Sequence, residues 1–480
     1  MKKYFIKTFW CEMNKADSEK INMILLQSWF VKTNLFKEAL VVILNTCSVR
    51  QKWEDRVFGL MQEIFLENQK RNKKIITWIT GCMVRKTGIN SKYLSKTKKR
   101  QTAKKIEYIN DKKWIFNNDD KLFPRLKNLD FTFRIEEIKY IPHILTHIIW
   151  ENIWNDSSFD DYLKINQFRE NPFSASVIIQ TWCDNYCNFC IVPYTRGKEI
   201  SRPQDEIKGE IKKISDSWIK EITLVGQNVN SYWKQFLDKK FWNNIKSKWN
   251  DWIWISPFRK LLDEVNKIDW IDRIRFTSSN PHDMTFDILD AHFELDKVCN
   301  YLHFALQSWN DEVLKRMNRK HTYNDFKKMV NYLRSKDPIF SISTDIIVWY
   351  SWETNKEFED TKKALIELEI DFVYIARYSV RDWTIASKIY KDDIWDDIKA
   401  ERWHELNEIL KQNVKKRWEL MIGRKEKILI SWEKDWKFFG RTRNFKEVFI
   451  LKNNKKLQIW DLVLVKITWL DEWVLLWEIE

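Results

Sequence analysis

The sequence predicts an α/β chain in three parts: an N-terminal parallel α/β domain over 1–150, a central partial β/α barrel of six repeats over 173–400, and a small C-terminal β-barrel over 415–480. Three observations predict it. In the first part, each strand-like apolar run ends close to a cysteine, and stretches with helical spacing lie between the runs. In the second, six apolar runs recur, each followed by a polar or cysteine-bearing loop. In the third, short β-rich runs alternate with polar turns. A chain of 480 residues also exceeds the roughly 300 at which one hydrophobic core stops growing.

The elements follow in order. Strand-like runs Lys2 to Phe9, Ala39 to Thr46 and Lys74 to Thr80 precede Cys11, Cys47 and Cys82. Helix-like stretches Ala16 to Phe30 and Val49 to Gln69 separate them. Alternation of this kind builds βαβ units and a parallel sheet, and strand C-termini in such a sheet line one edge. Three cysteines far apart in sequence are therefore expected to meet in space. Residues 86–130, rich in Lys and Asn, read as a variable lobe, and roughly 151–172 as a polar linker. In the central part the expected strands are Ser176 to Thr181, Ile222 to Gly226, Ile274 to Thr277, Phe304 to Leu306, Ile342 to Val348 and Phe372 to Tyr378. Chemistry in β/α barrels sits at the C-terminal rim of the strands. A helix from Asp397 to Leu420 leads to the last part, with runs Glu426 to Ser431, Glu447 to Leu451, Leu462 to Ile467 and Val474 to Ile479. Small barrels of that kind often hold nucleic acid.

Composition narrows the function. Apolar residues at 44% and charged residues at 31% describe an ordinary globular protein rather than a disordered one. A net charge of +15 favours a polyanionic partner, because neutralised phosphates release condensed counterions. The start, MKKYFIKTFWCEMNK, is basic without a sustained apolar run, so it does not read as a signal peptide. The longest apolar stretches are strand-sized, too short for a membrane span. We therefore expect a cytoplasmic protein with no membrane partner, whose seven cysteines serve metals or catalysis more than disulfides.

One anomaly runs through the chain. It holds 28 Trp and 8 Gly, together 7.5% of 480 residues, close to the ~7% that glycine alone normally contributes. Many tryptophans stand where turns want glycine: Trp10 before Cys11, Trp233 after Asn230-Ser231-Tyr232, Trp349 and Trp352 around Tyr350-Ser351. We expect many of these codons to be UGA read as glycine in the source organism. The alternative is a protein that is truly Trp-rich.

Cys183, Cys187 and Cys190, in CDNYCNFC, make a C-x3-C-x2-C spacing just after the first central strand. Three thiolates on one short loop can hold three irons of a four-iron cluster and leave the fourth open. An open iron can chelate S-adenosylmethionine (SAM) and pass it an electron, and this spacing is the radical-SAM signature. A zinc site lacking its fourth ligand is the other reading. For Cys11, Cys47 and Cys82 only position speaks, and three small buried thiols would look the same. Cys299 reads as a structural residue.

TFWCEMNKADSEK, NTCSVR and GCMVRK resemble the three cysteine loops of the N-terminal methylthiotransferase domain. CDNYCNFCIVPYTRGKEISRP resembles the radical-SAM loop of MiaB-type enzymes. LVGQNVNSYW, RIRFTSSNPHD, LQSWNDEVLKRMNRKHT, STDIIVWYSWET and ARYSVRDWT continue the match in order, and GRTRNFKEVFI with the final β-rich stretch looks like a TRAM domain. The resemblance spans nearly the whole chain except roughly 86–130. It implies a radical-SAM core over 173–400, an RNA-binding TRAM-like barrel over 415–480, and two 4Fe-4S clusters, the second held by Cys11, Cys47 and Cys82. It further implies methylthiolation at C2 of N6-(dimethylallyl)adenosine at position 37 of tRNA. The implied partners are the tRNA anticodon loop, a sulfur donor, and an electron donor such as flavodoxin or ferredoxin. Sister families acting on another tRNA base or on a ribosomal protein share the six cysteines, and a non-catalytic RNA-binding iron–sulfur protein is a further alternative. Gln227-Asn228-Val229-Asn230, Cys11-Glu12-Met13-Asn14 and Cys47-Ser48-Val49-Arg50 look MiaB-like. Departures are Trp at family glycine positions (Trp10, Trp182, Trp233, Trp309, Trp349, Trp352, Trp383), with Ser351 and Ile385 where proline is usual.

Four more residues are candidates for SAM. Phe189 occupies the place of an aromatic that packs near adenine, or else it simply packs the loop. Gln227, Ser308 and Asp345 are expected at barrel strand ends, within reach of SAM or base. Arg196, Lys198 and Arg202 read as a basic segment for phosphate contacts, or as a solvated charged face. Arg441 and Arg443 are placed to meet RNA backbone.

Overall fold

The computed structural model describes residues 2–9, 11–84, 125, 126, 128–149, 161–169, 171–237, 255–434, 437–451, 457–471 and 474–479. The chain divides into two compact units, one of 1–170, 190–198 and 381–384, and a larger one of 171–189, 199–380 and 385–480. Most of the expected variable lobe and the first half of the expected linker lie outside the described residues.

In the smaller unit, β1 (Lys2–Thr8), β2 (Phe30–Lys32), β3 (Val41–Thr46), β4 (Ile76–Gly81) and β5 (Phe131–Thr132) form one parallel sheet in the order β2-β1-β3-β4-β5. The run VVILNT of β3 is buried at every position, as a central parallel strand covered on both faces requires. Its register sets the rest: Thr8 lies opposite Asn45, and Thr46 opposite Gly81. Helices Glu12–Gln27 and Gln51–Gln69 connect the strands. The first begins four residues before the expected Ala16 because Cys11 itself caps it, its sulfur accepting from the Asn14 N–H at 3.3 Å. It ends at Gln27, since Phe30 already belongs to β2. The described end of the linker is docked: Lys20 Nζ donates to the Tyr162 carbonyl at 2.8 Å, and the Tyr162 hydroxyl donates to Asp17.

The larger unit opens with β6 (Ser174–Ile178) and β7 (Gln180–Thr181), so the run expected as one strand is two. β7 turns away to pair antiparallel with β8 (Ile200–Ser201). Next come β9 (Glu221–Val225), β10 (Arg273–Phe276), β11 (Tyr301–His303), β12 (Ser341–Val348) and β13 (Phe372–Arg377). They make two parallel three-stranded sheets, β10-β9-β6 and β11-β12-β13. Single parallel bridges at Ile274–Val298 and Ser279–Phe304 carry the pairing across the seam. The six-repeat open barrel is therefore present. Its fourth strand falls at Tyr301–His303, ahead of the expected Phe304 to Leu306, because Phe304 and Gln307 make only single bridges. Thr322 with Asp325 and Thr354 with Glu357 form capping boxes that start two of the connecting helices.

Helix Asp396–Glu419 leads to a closed barrel of β14 (Lys425–Lys434), β15 (Lys437–Arg441), β16 (Glu447–Leu451), β17 (Leu462–Asp471) and β18 (Val474–Ile479). Five strands stand where the sequence suggested four. The missed one, KFFGR, is short and carries Gly440, where a Cβ would crowd the Leu429 backbone. One apolar core runs from the central sheets through Leu406, Leu410 and Val414 into the barrel interior at Ile428, Phe438 and Val465. Arg273 and Arg275 pin the two together, donating to the carbonyls of Lys427, Arg441, Thr442 and Arg443 at 2.6–2.9 Å.

Nine of the described tryptophans adopt left-handed backbone, φ 59° to 79°: Trp29, Trp182, Trp218, Trp233, Trp270, Trp349, Trp352, Trp383 and Trp460. An L-residue pays roughly 1–2 kcal/mol for that region. Five of the seven tryptophans at family glycine positions are in this set. Trp10 lies outside the described residues, and Trp309 is buried in the core without a positive φ.

Candidate metal centres

The first triad is assembled by sheet register. Cys47 directly follows β3 and Cys82 directly follows β4, so the pairing of Thr46 with Gly81 sets them side by side. The Cys82 N–H donates to the Thr46 carbonyl at 3.0 Å, and the Thr46 hydroxyl donates to the Thr80 carbonyl at 2.6 Å. Gly81 takes φ +91°, and a Cβ there would collide with the Thr46 carbonyl oxygen and lie 2.8 Å from Asn45 Oδ1. Cys11 follows β1, the neighbour of β3. Asn14 ties these ends together: its Nδ2 donates to the carbonyls of Phe9 and Thr46 at 2.8 and 3.0 Å, while its own carbonyl accepts from Asn45 Nδ2 at 2.8 Å. Arg381 holds the Cys47 loop by donating to the Ser48 carbonyl at 2.9 Å and to Gln51 and Glu54.

The three thiols sense one another. A hydrogen bond with Cys47, aided by the Arg196 charge, holds Cys11 below the ordinary thiol range. Cys47 is pushed up by the same bond and by burial. Burial raises Cys82, with Arg196 opposing. Among the described residues no three His, Cys, Asp or Glu side chains close on a point for a single ion. Three thiols at neighbouring strand ends are a donor set that suits three corners of an iron–sulfur cluster, and the buried Arg196 beside them suits its negative charge.

The second triad is local. Cys183, Cys187 and Cys190 lie on the loop after β7, entered through Trp182 at φ 65°. Asn185 Nδ2 donates to Cys183 Sγ at 3.4 Å, and Arg319 Nη1 to Cys187 Sγ at 3.5 Å. Burial pushes the Cys183 thiol up to about 12. The segment after helix Asp311–Arg316 grips the loop. Asn188 Nδ2 donates to the Arg316 carbonyl at 2.7 Å, its N–H to the Met317 carbonyl at 3.0 Å, and Asn318 Nδ2 to the Tyr186 carbonyl at 2.9 Å. The sequence alone does not single out Asn318 and Arg319. They lie within RMNRKHT, and their position just past the short helix Asp311–Arg316 is the one local signal they carry.

The other candidates separate. Phe189 packs edge-on to Tyr350, centroids 6.4 Å apart, beside a small cluster of Val313, Met317 and Ala386. Gln227 follows β9, half-buried at the strand end as expected. Ser308 is buried, and its hydroxyl accepts from the Asn310 N–H at 3.3 Å, a local turn contact. Asp345 stands in mid-strand rather than at a strand end, where His303 Nε2 lies 3.0 Å from its carboxylate. Of the basic segment only Lys198 is exposed. Arg196 is buried against Asp17 and Cys82, and Arg202 against the Ile178 carbonyl and Glu210. Both correct the expected phosphate contacts, because each guanidinium is buried and paired with a carboxylate inside the protein. Arg443 likewise donates to the Val298 carbonyl at 2.8 Å, whereas Arg441 is exposed over the Phe445 ring. Cys299 is buried.

Comparison with known proteins covers the segments that carry both triads. Residues 177–365 match the Radical SAM superfamily, and residues 3–103 match the Uncharacterized protein family UPF0004. The tRNA-2-methylthio-N(6)-dimethylallyladenosine synthase of Clostridium novyi (strain NT) is 36% identical over 475 residues, covering 97% of this chain and 94% of its own. The protein of the same name from Clostridium botulinum (strain Okra / Type B1) is 33% identical with the same coverage. Among solved structures, the radical S-adenosylmethionine methyltransferase TsrM from Kitasatospora setae is similar at TM-score 0.47 and 10% identity, over 81% of this chain and 74% of that one. No helix among the described residues is long and apolar enough to cross a membrane. A match of this identity over nearly the full length of both chains settles descent: the chain belongs to the tRNA-2-methylthio-N(6)-dimethylallyladenosine synthase family, the MiaB-type radical-SAM methylthiotransferases.

Proposed function

We propose that this chain transfers a methylthio group to C2 of N6-(dimethylallyl)adenosine at position 37 of tRNA, in the cytoplasm. Electrons come from a carrier such as flavodoxin or ferredoxin, and sulfur from a separate donor. The observation that carries the reading is the presence of two thiol triads of unlike construction in a chain whose family match takes in both. With 4Fe-4S clusters held by Cys183, Cys187 and Cys190 and by Cys11, Cys47 and Cys82, the chemistry supplied is one-electron cleavage of SAM at the first and presentation of sulfur at the second.

The rest falls to side chains. Asn185 and Arg319 donate to the sulfurs of Cys183 and Cys187, orienting them and offsetting negative charge. Phe189, braced by Tyr350, offers an apolar ring beside the cysteine loop for the adenine of SAM. Gln227 and the Asp345–His303 pair supply polar groups for SAM or the base. On the C-terminal barrel, Lys425 lies directly opposite Lys466 on the exposed surface, with Lys427 two residues along. A phosphate backbone lying over these exposed lysines would release condensed counterions.

Nucleoside mass spectrometry of tRNA tests the reading. A strain lacking its own enzyme should accumulate N6-(dimethylallyl)adenosine and regain the 2-methylthio nucleoside when this gene is supplied. An unchanged nucleoside profile, with the protein present and reconstituted, would sink it.

A further inference from the structure

We propose that Arg196 is a positioning residue of the strand-end triad: its Nε fixes the Cys82 sulfur while Nη1 donates to the sulfur-bearing group held there. Arg196 is 1% exposed, so its charge is not dissolved by water. Nε donates to Cys82 Sγ at 3.4 Å, and Nη2 donates to Asn14 Oδ1 at 2.6 Å and Asp17 Oδ2 at 3.0 Å. Nη1 is buried and has no hydrogen-bond partner among the described residues. A buried donor left over in an otherwise satisfied fork costs stability unless an acceptor meets it. The fork is aimed by two fixed points. Asp17, itself fully buried, receives the Tyr162 hydroxyl on its other oxygen, and Asn14 is locked to the strand ends. Lysine could neutralise Asp17 but could not donate in three directions from one plane. N–H···S bonds and nearby positive charge both raise the reduction potential of an iron–sulfur centre.

The inference rests on the assignment of a cluster to Cys11, Cys47 and Cys82, and the test separates the two. Full-length protein carrying Cys183→Ala, Cys187→Ala and Cys190→Ala is reconstituted anaerobically, so that only the strand-end triad reports. Iron and sulfide content are measured, then EPR-monitored redox titration is run on this background and on added Arg196→Lys or Asp17→Asn/Arg196→Gln. The double change removes both buried charges, so Asp17 is not left unpaired. Absence of iron from the triple-alanine parent would defeat the cluster assignment itself. With iron retained, the midpoint potential should fall in the order parent, Lys variant, double variant, and the EPR signal should change shape. Equal potentials and identical signals in all three would overturn the role of Arg196. If the double variant does not fold, the parent and Lys variant alone decide by the same criterion.

A second inference stands on different observations. We infer that the nine tryptophans in left-handed backbone are glycine in the native protein, their codons being UGA read as glycine. Five of them, Trp29, Trp218, Trp270, Trp352 and Trp460, are also exposed, from 44% to 83%. Trp218 meets Trp270 and Trp352 meets Tyr390 edge-on, but much of each indole stays in water, so packing offsets only part of an unfavourable φ. Trp29 follows the end of helix Glu12–Gln27, where a left-handed glycine commonly closes a helix. Trp349 likewise stands at the turn directly after β12, and Trp233 joins two single 3-10 turns, Val229–Ser231 and Lys234–Phe236. Peptide mass mapping of protein isolated from the source organism decides it. Glycine in the peptides spanning these nine positions, with an intact mass below 58.9 kDa, is expected; tryptophan there would overturn it.

Discussion

The two cysteine triads bind through the same atoms but are built in opposite ways. Cys183, Cys187 and Cys190 are brought together by a loop of eight residues, and the fold only grips that loop from outside through Arg316, Met317 and Asn318. Cys11, Cys47 and Cys82 owe their meeting to three parallel strands paired in one register. The first arrangement is cheap in contact order and tolerant of distant change. The second fails if any strand slips, because a one-residue shift moves every side chain to the other face. Local ligands make a site that travels with a motif; strand-end ligands make one that travels with a domain.

Substitutions of the ligands themselves test this division most severely. Cys187→Ala should reduce SAM cleavage to background and with it all product, since the loop has no fourth thiol to substitute; formation of 5′-deoxyadenosine measures it. Continued cleavage would show that the local loop is not the site of that step. Cys47→Ala should leave 5′-deoxyadenosine formation in place and end methylthiolation. If both products vanished together while the protein stayed folded, the triads would not be separable in the way their construction implies.

Gly81→Ala aims between ligand and scaffold. It forces a side chain into φ +91° and against the Thr46 carbonyl, at a cost of at least roughly 1–2 kcal/mol from backbone alone. The collision lies in the pairing that sets Cys82 beside Cys47. Iron per chain should fall from about eight toward about four, with SAM cleavage retained. Eight irons and normal product would show that register at this strand end is softer than the hydrogen bonds indicate.

The same contrast explains how much of the molecule is legible in its sequence. The C-x3-C-x2-C loop is legible because its geometry is carried by spacing alone. Cys11, Cys47 and Cys82 are legible only as strand-end positions, through alternation of apolar runs with helical stretches. The parallel sheet, the six barrel strands and the small terminal barrel follow from the same patterning. Arg196 misleads, since a basic residue in a polar loop looks solvated until Asp17 and Cys82 are seen around it. Arg202 and Arg443 mislead for the same reason. Asp345 falls inside its strand because the run SISTDIIV continues past a carboxylate that faces His303. Long-range partners of charged side chains have no local signature, and in this chain they account for most of the differences.

The smallest effect expected is a pH dependence confined to the unit that grips the local loop. Glu353 is 4% exposed on the turn after β12; its carboxylate accepts from the Trp349 N–H at 2.7 Å and from Arg402 at 3.4 Å. Burial prevails over both donors and pushes its carboxyl up to about 7 from the usual 4.5. The folded state therefore keeps a proton that the unfolded chain has released, and stability falls as pH rises through that window, by at most about 3 kcal/mol. The turn also carries Tyr350, whose ring meets Phe189 beside the cysteine loop. Urea midpoints for wild type should drop between about pH 5 and about pH 8, and Glu353→Gln, which cannot titrate, should reduce that slope to the share left by Glu199, whose carboxyl burial also pushes up to about 7. Iron bound at Cys11, Cys47 and Cys82 should not change across the range, because Glu353 belongs to the larger unit and the strand-end triad to the smaller. A variant with the full wild-type slope would remove Glu353 as its source, and loss of iron from the strand-end triad in step with pH would show that the two constructions respond as one.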